Sequence, residues 1–120
     1  MVRNFKELIV WRKAYQLALD LYRASEEFPK SEQYGLTSQM RRCAVSIVSN
    51  VAEGYQRQHT GEYVQFLSMA YGSCAELETQ LFLSKDLHYL PLKTFKELSE
   101  LTTEISKMLY TMIKRLKSVS

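Results

Sequence analysis

The stretch LTSQMRRCAVSIVSNVAEGYQ, residues 36–56, sets the fold. At 100° per residue, Leu36, Met40, Cys43, Ala44, Ile47 and Val51 fall on one apolar face. Val45, Val48 and Ala52 make a second strip beside it. Together the two cover about 200°, well beyond the roughly 100° stripe of an ordinary surface helix. The rest of the wheel is polar: Gln39, Arg42, Ser46, Ser49, Asn50, Glu53 and Arg57 lie within about 100° of one another. This pattern is helical, and the helix has more apolar surface than one neighbour can cover.

Working outward, breakers are few. FPKSEQYG (28–35), QRQHTG (56–61) and HYLPL (88–92) separate four stretches rich in helix formers, and none shows strand alternation. The expected helices run over about 5–27, 36–56, 61–88 and 92–117. Links this short join antiparallel neighbours, so the chain reads as all-α, an antiparallel up-down four-helix bundle forming a single domain over 1–120. In the last helix Leu98, Leu101, Ile105, Met108 and Met112 follow the 3-4 rhythm of left-handed bundle packing. Pro91 suits its first turn, and Lys114, Arg115 and Lys117 complement its negative pole. Thr60 is the expected cap of the third helix, whose core face reads as Tyr63, Phe66, Ala70, Tyr71, Cys74 and Leu81. In the first helix Trp11, Tyr15, Ala18 and Tyr22 line one side, and Val10, Leu17 and Leu21 widen it.

Composition bounds the function. The 120 residues are 46% hydrophobic and 24% charged, with 4 Gly and 2 Pro, which excludes disordered and collagen-like classes. Sixteen Lys and Arg against 13 Asp and Glu give a net charge of +3, which permits a polyanionic partner without demanding one. Two cysteines make no disulfide scaffold. No run is long enough for a membrane span, and the N-terminal residues lack a signal-peptide core, so the expectation is a cytoplasmic protein with no membrane partner.

Apolar strips this broad are usually covered by another chain, which points to self-association through Val45, Val48 and Ala52. Gly72, mid-helix on the outer side of the third helix, marks a close approach by something outside the bundle. Arg41 lies beside the Val45–Val48 strip, at the edge of that interface. The polar line on the second helix has two readings. Gln39, Ser46, Asn50 and Glu53 could form a network fixing helix register, or Arg42 and Arg57 could face phosphate. Basic residues gather at the start of the first helix (Arg3, Lys6, Arg12, Lys13) and the end of the fourth (Lys107, Lys114, Arg115, Lys117). An up-down bundle places both groups at one end, a footprint suited to nucleic-acid phosphates. Signals for catalysis are weak: there is no Glu-x-x-His pair and no phosphate loop, and Cys43 and Cys74 sit on apolar faces. No catalytic residue, metal site or cofactor is expected.

The run Gln39-Met40-Arg41-Arg42-Cys43-Ala44-Val45-Ser46-Ile47-Val48-Ser49-Asn50-Val51-Ala52-Glu53-Gly54 resembles the signature of the 23S ribosomal RNA intervening-sequence proteins. Leu8-Ile9-Val10-Trp11, Phe28-Pro29, Tyr34-Gly35-Leu36, Phe66-Leu67 and Gly72-Ser73 extend the likeness in order. Cys43 stands where alanine is usual, and Val48 where proline is frequent. The resemblance implies a bacterial origin and a homopentamer. It extends to the accessory variability determinant of diversity-generating retroelements, a basic pentameric barrel that binds nucleic acid and its reverse transcriptase. It supplies no mechanism.

The sequence thus points to a non-enzymatic oligomer that binds structured RNA or DNA, with Arg12, Lys13, Arg42, Arg57, Lys114 and Arg115 as contacts. The alternatives are a protein-interaction scaffold without nucleic-acid affinity, or a small-molecule binder at the polar strip of the second helix.

Overall fold

The computed structural model describes residues 2–119. Its helices are α1 (Ile9–Ser25), α2 (Leu36–Tyr55), α3 (Thr60–Asp86) and α4 (Leu92–Val119), with short 3-10 turns at Phe5–Glu7 and Lys30–Glu32 and no strand among the described residues. In cross-section the helices form a square in chain order. α1 packs on α2 and α4, α3 packs on α2 and α4, and the diagonal pairs do not meet.

Side-chain pairings fix the directions. Tyr55 bonds Val2 while Arg41 bonds Tyr22; Ser46 meets Ser73 while Met40 meets Ser84; Tyr71 pairs with Tyr110 while Phe82 pairs with Phe95. In each case one number rises as the other falls, so every adjacent pair is antiparallel. The bundle measures 46 × 21 × 21 Å, close to the roughly 42 Å that a helix as long as α4 spans.

The core is a column of small and branched side chains. Val10, Ala14, Leu17 and Leu21 from α1 meet Met40, Ala44, Ile47 and Val51 from α2; Leu67, Ala70, Cys74, Leu77 and Leu81 come from α3; and Phe95, Leu98, Ile105 and Leu109 come from α4. Three sequence expectations shift here. In α1 the inward face centres on Ala14 and Leu17, whereas Tyr15 and Tyr22 are 48% and 42% exposed. Tyr71, expected inside, is exposed on α3. In α4 the stripe is rotated toward Thr102 and Leu109, leaving Leu101, Met108 and Met112 half-buried against the core. The buried Thr102 hydroxyl donates to the Leu98 carbonyl at 2.7 Å, so it enters the core with its polar group satisfied.

The helix ends show how the chain turns. Thr60 lies inside the first turn of α3, and His59, which makes no side-chain bond, holds the cap position instead. α3 stops at a left-handed His88 (φ 64°), where the Tyr89 N–H reaches back to the Ser84 carbonyl at 2.8 Å. The Pro91 carbonyl then accepts the Phe95 N–H at 2.9 Å, starting α4. The α1–α2 link is held by Glu32, whose carboxylate accepts the Leu36 N–H at 3.1 Å and the Tyr89 hydroxyl at 3.0 Å. Arg41 pins the end of α1, donating to the Ser25 hydroxyl at 2.8 Å and the Tyr22 carbonyl at 3.1 Å. It therefore serves the bundle itself.

Candidate nucleic-acid interface

One end of the bundle brings together the start of α1, the end of α2, the start of α3 and the end of α4. The Ser46–Ser73 contact, at 3.0 Å, marks the midplane. On the side of this end, residues 2–17, 46–73 and 106–119 carry nine Lys and Arg against three Glu. The other half carries seven Lys and Arg against ten Asp and Glu. The modest net +3 is therefore the remainder of a +6 half and a −3 half, and the molecule is a strong charge dipole.

The residues expected to contact phosphate fall in different places. Lys114 and Arg115 are exposed on the last turns of α4, with the Lys114 ammonium 5.4 Å from the Tyr110 ring centre. Arg57, just past α2, joins the same end: its guanidinium covers the Phe66 ring at 4.6 Å and lies 4.0 Å from Glu53. Arg12 is exposed but uses its Nε–H to hold the Lys6 carbonyl at 2.8 Å, which ties the N-terminal arm to α1. Lys13 is engaged by Glu104 at 2.9 Å and adds little net charge. Arg42 stands apart, about 20 Å along α2 from Arg57, in the acidic half. Sequence reading grouped Arg42 with Arg57 because the wheel projects out position along the helix axis; counting turns would have separated them.

The polar line on α2 also divides. The Asn50 side chain donates to the Ser46 carbonyl at 2.8 Å and to its hydroxyl at 3.0 Å, and Ser46 in turn bonds Ser73 across to α3. That part is an inter-helix network. Glu53 instead faces Arg57. Gln39 and Arg42 border a depression of about 300 Å³ with Cys43, Ser46, Ser73 and Glu76. The Cys43 thiol is pushed up to about 12, mainly by burial and further by the neighbouring Glu76 carboxylate, so it stays protonated and unreactive at neutral pH.

The model of the 23S rRNA-intervening sequence protein family matches residues 6–111. The chain belongs to this family. Among solved structures, a protein with unknown function of the S23 ribosomal protein family from Bacteroides thetaiotaomicron is similar in fold, with a TM-score of 0.80 over 88% of this chain and 99% of its own, at 24% identity. No curated protein matches. On this member of the intervening-sequence family the run Gln39–Gly54 is nearly all of α2. It supplies core contacts through Met40, Ala44, Ile47 and Val51, the bridge to α3 through Ser46 and Asn50, and a close helix approach at Gly54. Those roles hold the bundle together and do not by themselves define an activity.

Two side faces of this family member carry exposed apolar residues. Along α1–α2, Tyr15, Tyr22 and Val45 are exposed beside half-buried Val48 and Ala52, with Tyr15 stacked on Trp11 at 5.1 Å. Along α3–α4, Tyr71, Phe82 and Tyr110 are exposed, a face that the sequence reading missed by assigning Tyr71 to the core. Gly72 points outward, and a Cβ there would meet nothing within 4 Å. Among the described residues no group of three or more His, Cys, Asp or Glu could hold a metal ion, and no helix is long and apolar enough to cross a membrane.

Proposed function

We propose that this protein is a non-enzymatic, ring-forming bundle of the cytoplasm that binds structured RNA or DNA through its basic end. The division of charge into a +6 half and a −3 half carries the reading, because it gathers cations at the end that exposed Lys114, Arg115 and Arg57 share. Assembly strengthens it. The apolar α1–α2 and α3–α4 faces lie on opposite sides of the square, so joining one to the other between copies is a heterologous contact, the kind from which a ring forms when the rotation between copies closes. Val45, Val48 and Ala52 belong to the first joint and Gly72 borders the second. Five is the number that the family resemblance implies. All basic ends in such a ring point the same way, and several weak phosphate contacts act as one multivalent site.

The test is charge reversal. Lys114→Glu with Arg115→Glu lowers affinity for a structured RNA by roughly tenfold or more while the native mass stays that of the wild type. Unchanged affinity in that variant removes the basic end from the account.

A further inference from the structure

The nucleic-acid reading leaves open which form of nucleic acid the end receives, and the aromatic side chains there bear on that choice. Single strands are held by a charged groove together with bases stacking on free rings. The basic half is rich in rings, but five of them are packed against other side chains. Phe5 packs edge-on to Trp11 at 5.4 Å, and Trp11 stacks on Tyr15 at 5.1 Å. Tyr55 meets Tyr63 at 6.1 Å and ties its hydroxyl to the Val2 carbonyl at 3.0 Å. Phe66 lies under the Arg57 guanidinium. Phe5, Trp11, Tyr55, Tyr63 and Phe66 are all half-buried.

Two rings of this half are exposed besides Tyr71, namely Tyr15 and Tyr110. Both stand on the side walls, along the faces proposed as joints between copies. Tyr110 is flanked by Tyr71 at 6.2 Å and by the Lys114 ammonium. The widest-open ring of the chain, Tyr34 at 90% exposure, is at the opposite, acidic end. Cations at an end whose own rings are covered, with the open rings set on the side walls, favour a ligand whose bases are already stacked on one another and whose phosphates are dense, about one charge per 1.7 Å of helix axis in double-stranded DNA.

We infer that the ligand class of the basic end is the double helix, of RNA or DNA, held by its phosphates, and that single strands are poor ligands. This rests on the nucleic-acid reading above. The experiment measures fluorescence anisotropy of the full-length protein with labelled probes of about 24 nucleotides in about 100 mM salt: an unstructured single-stranded RNA, the corresponding RNA duplex and the corresponding DNA duplex. Both duplexes bind roughly fivefold or more tightly than the single strand, and the two duplex arms show which sugar is preferred. Arg57→Ala weakens duplex binding and narrows that ratio, because it removes a cation and uncovers the Phe66 ring.

Failure of all three probes to bind at low salt overturns the basic-end reading, and this inference with it. A single strand that binds as tightly as the duplexes, and is lost on charge reversal at Lys114 and Arg115, leaves the basic end in place and overturns the duplex preference alone.

Discussion

Cys43 and Cys74 face one another's neighbourhood in the α2–α3 seam, and both thiols are pushed up to about 12 from 9.0. Burial is the main cause for each, with Glu76 adding to Cys43 and Glu78 to Cys74. An acid whose pKa is raised by folding stays protonated in the native state after the unfolded chain has lost its proton. Its contribution to stability is therefore complete below about pH 9 and is lost as pH rises from there toward 12. Urea denaturation between pH 9 and 11 should show stability falling by up to about 1.4 kcal/mol per pH unit for each thiol, and Cys43→Ala with Cys74→Ala should remove that part of the slope. A slope unchanged by the double substitution contradicts this account. At this scale the sequence was legible for the thiols, because both fall on plainly apolar faces. It was not legible for Tyr15, Tyr22 and Tyr71. A tyrosine ring in a wide apolar arc fits either the core or a wall, and only the packing around small Ala14 and Ala70 decides which side turns inward.

At the scale of elements, two glycines in helices play opposite parts. A Cβ on Gly54 would stand 2.8 Å from Phe66 Cβ and 3.0 Å from Tyr63 Cδ1, and the first of these atoms is fixed to the α3 backbone. Gly54→Ala should therefore lower stability by about 1–3 kcal/mol despite its better helix propensity. Gly72 has open space within one chain, so Gly72→Ala should raise the stability of the single bundle by about 1 kcal/mol, measured in the Val45→Asp background that separates the copies. Chemical denaturation of the pair checks both signs, and the same sign for both would contradict the helix approach described. The helices themselves were readable almost to their ends. The expected 36–56 became Leu36–Tyr55 and 92–117 became Leu92–Val119, because Gly, Pro and polar clusters bound strongly periodic segments. The start was less so. Asn4 caps a separate 3-10 turn, with its side chain accepting the Lys6 N–H at 2.8 Å, and this divides the expected 5–27 helix. The apolar α3–α4 face was missed because α3 carries apolar residues on several sides, and a wheel alone does not rank them.

For the whole molecule, chain topology turns a nearly balanced composition into an object with one basic and one acidic end, and it places apolar surface on opposite walls. The basic end was legible because helix order in an up-down bundle dictates which termini meet; the position of Arg57 there and of Arg42 elsewhere follows from counting turns along α2, which a wheel projection leaves out. Val45, 41% exposed, is the cleanest probe of the walls, since a charge there costs the isolated bundle little. Val45→Asp should leave helix content intact and reduce the native mass to the 14.0 kDa of one chain. An unaltered oligomer excludes the α1–α2 face as a joint.

The central claim is that the basic end holds phosphates, and salt dependence tests it most directly. Anisotropy of wild-type protein with a short structured RNA, titrated across salt, should give micromolar or tighter binding whose log–log slope is several units, at roughly 0.7–0.9 per phosphate neutralised. Absence of binding at low salt, or binding indifferent to salt, would contradict it.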